Sequence, residues 1–239
     1  MPRQTPPGRL ADVAHAACQV FIDKGYRRAL LTDVAAELGL SHALLYRCAQ
    51  SKEALFELAL RHAINPDEVT SVEVPVPTPA PGRFLQLVRE WAADQARFPV
   101  LDAAVEDHGD SSTSENVAGE VAGIVGECYA FIERARPLLA LIERSAPDLP
   151  ELYEFYYTRL RRSYLTRLTD YLRARIGAGA LRPVPEVGAA ARFVVESVAW
   201  FAWHRVGDPD SAEITDELAR QTVSDLLVAA LLPPGGNGA

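Results

Sequence analysis

Apolar residues recur at helical spacing along most of the chain. Leu10, Val13, Ala14, Ala17 and Phe21 fall at i, i+3, i+4, i+7 and i+11, which is one face of a helix. Gly25 follows Lys24 and predicts the end of that helix, because a left-handed residue after the last turn is least strained as glycine. A short second helix carries Val34, Ala35 and Leu38 and meets Gly39. A third begins after Ser41, a favourable N-cap, and carries Leu44 and Leu45. A fourth begins after Ser51, with Leu55, Leu58 and Ala59 facing inward.

The pattern then stops. Pro66, Pro75, Pro77, Pro79 and Pro81 remove amide donors and fix φ, so no helix runs through residues 65–83. Val72, Val74 and Val76 alternate as in a short extended edge segment, but a semi-rigid linker or surface loop is the favoured reading. Helical spacing returns at Phe84–Trp91, and Pro99 is expected to break or restart it. Asp107–Ser114 reads as a polar loop. A long helix from about Glu115 is expected to be interrupted near Pro137, and another runs from about Pro150 to Ile176. The last two span roughly Glu186–Arg205 and Glu213–Leu232. No hairpin signal occurs, so the expected class is all-α. The tail, residues 233–239, is expected to be disordered.

Composition adds a class. Hydrophobic residues are 49% and charged residues 23% of the 239, as in a globular protein. No run of about 18 apolar residues is present, and the N-terminus lacks an apolar leader, so a cytoplasmic protein without membrane contact is expected. Cys18, Cys48 and Cys128 show neither metal spacing nor a disulfide framework. Reduced thiols are the default, with Cys48 a candidate thiol switch.

The net charge of −8 is unevenly spread. Residues 1–62 carry eight Lys/Arg against six Asp/Glu, and the rest carry sixteen against twenty-six. A mildly basic head on an acidic body fits a small DNA-facing module.

The stretch Val34-Ala35-Ala36-Glu37-Leu38-Gly39-Leu40-Ser41-His42-Ala43-Leu44-Leu45-Tyr46 has the spacing of a helix-turn-helix. Ala35 is small where two helices would cross, Gly39 permits the φ > 0 of the sharp turn, and Leu40 and Leu45 fill the angle between them. The second helix of such a motif enters the major groove with its N-terminal residues at base edges.

Together with Gly25-Tyr26-Arg27-Arg28, Asp33, Tyr46 and Ser51-Lys52-Glu53-Ala54-Leu55, this stretch resembles the signature of the TetR family over about residues 9–60. The resemblance implies an N-terminal three-helix DNA-binding domain (1–62), then the Pro-rich linker or loop (63–83), then a larger helical ligand-binding and dimerisation domain (84–232). It places a phosphate-contacting tyrosine at Tyr46 and phosphate contacts at Lys52, Arg27 and Arg28. Thr32 lies on the backbone-facing side, and Ser41, His42, Ala43 and Arg47 surround the reading face. Four positions depart from the family pattern. Leu30 and Leu44 stand where polar residues are usual, and Cys48 and Ala49 replace bulky ring residues.

Aromatics are dense after residue 83 and would line an apolar pocket between helices. Trp91, Phe98, Phe131, Tyr153, Tyr156 and Tyr157 are the pocket candidates, with core packing the competing reading for each. Phe193–Trp203 is apolar nearly all round. By resemblance the last two helices pair with their copies in a homodimer, through Val195, Trp200, Phe201, Val223, Leu226, Leu227 and Ala230; an intrachain core is the alternative.

The expected function is a regulator that binds double-stranded operator DNA and responds to a small apolar or amphipathic effector, most simply a repressor released by it. The alternatives are a module of the same fold that has lost operator binding, and a small helical-bundle enzyme. Glu106-Asp107-His108 reads as a solvated charge cluster. No catalytic, cofactor or metal motif occurs, so neither a cofactor nor an enzyme is expected.

Overall fold

A computed structural model describes residues 7–107 and 114–234. Regular structure among them is helical, apart from one isolated parallel bridge between Ala49 and Val76. Helix α1 (Pro7–Arg28) buries Leu10, Val13, Ala14, Ala17 and Phe21, the stripe read from the sequence. Its regular part stops at Gly25, where φ is 77° and ψ 165°. Helices α2 (Leu31–Glu37), α3 (His42–Tyr46) and α4 (Lys52–Ile64) follow. Gly39, at φ 62°, makes the turn between α2 and α3. Leu45 is fully buried behind α3. Burying such a side chain stabilises by about 1.5–3 kcal/mol.

Caps set the helix starts unevenly. Ser51 Oγ accepts from Ala54 N–H at 3.2 Å at the head of α4. Leu30 has no acceptor to offer α2, and the Asp33 carboxylate instead accepts from Leu30 N–H at 2.9 Å. Ser41 stands at the N-cap of α3 without a side-chain cap bond.

The Pro-rich stretch does not leave the head. A 3₁₀ turn, Pro66–Ser71, packs on α1 and α4 with Val69 fully buried. The chain then extends to Val76, whose N–H donates to Cys48 O at 2.8 Å and whose carbonyl accepts from Gln50 N–H at 2.9 Å. The extended reading of the alternating valines therefore applies at one residue pair.

Helices α5 (Arg83–Gln95), α6 (Pro99–Glu106), α7 (Ser114–Ser145), α8 (Pro150–Tyr153), α9 (Arg162–Gly177), α10 (Val187–Ala199) and α11 (Asp216–Leu231) complete the chain. Glu154–Arg161 and Trp200–His204 are π-helical. Pro99 starts α6, where its missing N–H costs nothing. Pro137 does not interrupt α7 as expected, and the helix runs through it. Pro137 is exposed, so water can meet the carbonyl that its missing N–H leaves unpaired.

Two units share these elements. One comprises Met1–Gln95 and Ala135–Arg159; the other comprises Ala96–Arg134 and Leu160–Ala239. The first thus holds the head together with α5, the end of α7 and α8. In the second, buried Arg175 is held bidentately by Glu120 (2.8 and 2.9 Å) and reaches Asp107 at 3.3 Å. The Glu106-Asp107-His108 cluster is accordingly an ion-pair partner at Asp107, while His108 lies outside the described residues, as does the tail from 235 onward. No helix among the described residues is long and apolar enough to cross a membrane.

Candidate functional site

The side chains at 41, 42, 43, 46 and 47 share one solvent-facing side of α3 and its flanks. Ser41, His42, Ala43, Tyr46 and Arg47 are all exposed, with Tyr46 at 46%. The His42 and Tyr46 rings meet edge to face at 5.2 Å, which orders both on the outer surface. Leu44 is half-buried beside them. Thr32 is exposed on α2, and Leu30 is exposed at 58% with no polar group to offer.

The expected phosphate anchors have intramolecular partners. Arg27 N–H donates to Asp148 Oδ2 at 2.8 Å, and Arg27 Nε lies 3.1 Å from Asp148 Oδ1. Arg28 Nε donates to Lys24 O at 3.0 Å. Lys52 Nζ donates to Arg27 O at 3.0 Å and lies 4.9 Å above the Tyr26 ring. Burial lowers the Lys52 pKa, against the opposing pull of Glu53 and Asp148. Tyr26 in turn donates its hydroxyl to Glu53 Oε1 at 3.2 Å, and burial pushes that hydroxyl up to about 12. Glu53, held low chiefly by a backbone hydrogen bond, brings a negative charge to the start of α4, beside Lys52. Asp148, at the end of a distant sequence segment, is the contact that sequence reading missed. A 121-residue separation carries no local signal.

Cys48 and Ala49 are fully buried although small. The Val76 backbone pairs alongside them, bonding to Cys48 O and Gln50 N–H. Burial raises the Cys48 thiol, outweighing the lowering by Arg9 and Arg47, so the thiol-switch reading loses its chemical basis. Burial likewise pushes Cys18 and Cys128 up to about 12.

The aromatic pocket candidates fall into two groups. In the unit that holds the head, Trp91 is buried on α5, and the Tyr157 ring meets Tyr153 at a tilt and Tyr156 edge to face, with centroids 4.8 Å apart in each pair. Tyr156 donates its hydroxyl to Glu143 at 3.2 Å, and Tyr153 is 49% exposed. In the other unit, Phe98 packs on Phe131 at 5.2 Å and on Tyr164 at 4.5 Å. Among the interface candidates, Val195, Val223 and Leu227 are buried within the chain and Phe201 is half-buried. Trp200, Leu226 and Ala230 face solvent, and Phe193 and Leu218 do so too. No group of three or more His, Cys, Asp or Glu able to hold a metal occurs among the described residues.

Residues 13–59 match the family model for bacterial regulatory proteins of the tetR family. The HTH-type transcriptional repressor KstR2 of Mycolicibacterium smegmatis is 22% identical over 211 residues, spanning 87% of this chain and 85% of that protein. Among solved structures, the ketosteroid transcriptional regulator KstR2 of Mycobacterium tuberculosis is similar with a TM-score of 0.54 at 18% identity, covering 95% of this chain and 96% of that one. AibR in complex with isovaleryl coenzyme A and operator DNA is similar with a TM-score of 0.50 at 16% identity, covering 95% and 99%. The head thus matches the tetR-family model over residues 13–59, and the chain is similar over 87% of its length to a helix-turn-helix repressor.

Proposed function

We propose that a homodimer of this chain represses transcription from a near-palindromic operator and is released by a small apolar or amphipathic effector. The observation that carries the reading is the outward row Ser41, His42, Ala43, Tyr46 and Arg47 on a helix pinned from behind by Leu45. Two such helices related by a two-fold axis read two half-sites, which gives affinity that one small head lacks. The effector acts only through a difference in its affinity for the free and DNA-bound forms. Trp91, Tyr153, Tyr156 and Tyr157 in the unit that holds the head, and separately Phe98 and Phe131 in the other unit, are the proposed ligand contacts. AibR, whose structure holds an acyl coenzyme A and DNA on a similar fold, supports an amphipathic ligand.

A second reading, a module of this fold with weakened operator binding, is favoured by one observation. Lys52 donates to the Arg27 carbonyl, and Arg27, although its side chain is 80% exposed, meets Asp148 through Nε and its backbone N–H.

Selection of bound duplexes from a random library separates the two. The repressor reading expects a two-fold-symmetric sequence to be enriched at moderate salt. Arg47→Ala is then expected to relax base preference, at a cost of about 1–3 kcal/mol if Arg47 reads a base in two-point fashion. Tyr46→Phe should weaken all sequences alike. Failure to enrich any duplex overturns the repressor reading and leaves the second.

A further inference from the structure

The reading helix α3 has only five residues, and an isolated helix of that length is not stable by itself. Its N-cap makes no side-chain bond, and its first turn holds no acidic residue. Behind its C-terminal end, Cys48 and Ala49 are buried, so their neighbouring backbone groups need partners. One residue supplies both. Val76 donates its N–H to Cys48 O at 2.8 Å and accepts from Gln50 N–H at 2.9 Å, and it is itself 3% exposed.

The local sequence suits this task and little else. Val76 stands between Pro75 and Pro77, which have no amide N–H, so its own N–H is the donor that this stretch offers to Cys48. Pro77 also biases Val76 away from helical backbone toward the extended form observed. Val76 makes its pair of bonds to Cys48 and Gln50, in the turn between α3 and α4. Upstream, Val69 anchors the same segment on α1 and α4, and downstream Gly82, at φ 83°, turns it into α5.

We propose that Val72–Pro77 is a strap that positions the reading helix, with Val76 as the positioning residue that sets how Ser41–Arg47 meet base edges. Cys48 and Ala49 are small because the strap backbone must approach them.

The proposal rests on the DNA-binding reading, so its test has two arms. The first uses the full-length protein and a duplex that the wild-type chain enriches from a random library. Val76→Pro removes the donor to Cys48, and a second variant replaces residues 72–81 with a Gly/Ser segment of equal length. Both are expected to lose at least tenfold in affinity for the enriched duplex. Affinity for random-sequence duplex and its salt dependence should stay unchanged, because phosphate contacts do not need the correct angle. Equal loss on both duplexes, or no loss, overturns the proposal.

The second arm needs no DNA. Amide hydrogen exchange over residues 42–50 should accelerate in the Gly/Ser variant, while α1 and α4 keep their protection. Unchanged exchange over 42–50 overturns the strap whatever the DNA result. If the wild-type chain enriches no duplex, the repressor reading fails and the exchange arm alone judges the strap.

Discussion

Gly25 shows how one residue answers both to its own backbone and to a remote neighbour. At φ 77° and ψ 165° it occupies a region essentially confined to glycine. A methyl group there would also lie 3.0 Å from the Arg144 carbonyl oxygen, a backbone atom that has no rotamer to escape into. Arg144 completes the joint by donating from Nη2 to Asp23 O at 2.9 Å. Gly25→Ala is therefore expected to destabilise the protein by about 2 kcal/mol or more, from strain and overpacking together. Thermal unfolding measures it, and an unchanged midpoint would sink the account. Of these two causes the sequence shows only the first. A glycine after a helical stripe reads as a helix stop, but nothing near residue 25 announces residue 144. The same holds for Arg27, legible as an exposed cation and illegible as a partner of Asp148.

Between elements, α1 and α4 meet at a pair of imidazoles. His15 Nδ1 lies 3.2 Å from His62 Nε2, and the rings are edge to face. One proton bridges the two nitrogens, and His62 Nδ1 is buried with no partner. Protonating His62 would create a buried N–H without an acceptor, beside a second imidazole. Burial first, and His15 second, hold its pKa below the ordinary imidazole value of about 6.5. The unfolded chain then binds more protons than the folded one just below that value, so stability rises with pH there and falls on acidification from about 6.5. Denaturant unfolding at a series of pH values should show this slope in the wild type and a flatter one in His62→Gln; equal slopes would exclude the pair as the source.

Helix existence was legible across the chain because 3.6-residue periodicity is local. Finer detail was not. Pro137 suggested an interruption, but α7 runs on with the ring facing water. The π-helical stretches 154–161 and 200–204 carry ordinary helical spacing and no separate signature. The strap was half legible: the alternating valines allowed an extended segment, which is met at Val76, while its docking onto residues 48–50 depends on residues far away in sequence.

For the whole molecule, the open question in the sequence was which apolar face meets the chain itself and which meets a second copy. A stripe apolar nearly all round cannot answer that, because periodicity gives direction and not neighbour. The structure divides it. Val195, Val223 and Leu227 are buried among the chain's own helices, whereas Phe193 at 62%, Trp200 at 40%, Leu218 at 53% and Leu226 at 61% stay exposed on α10, the π turn after it and α11. Large apolar side chains grouped on consecutive elements mark an association surface, and a two-fold dimer covers such a patch with its own copy. Phe193→Glu and Leu226→Glu remove apolar area that the single chain already leaves in water, so the fold should tolerate them. A buried carboxylate pair across a two-fold interface should not be tolerated. Sedimentation equilibrium at micromolar concentration is expected to give the mass of two chains for the wild type and of one for the double variant. Unfolding midpoints of the variant should then depend on concentration less than those of the wild type. A double variant that still sediments as two chains would place the dimer contact elsewhere, on a face that α10 and α11 do not supply.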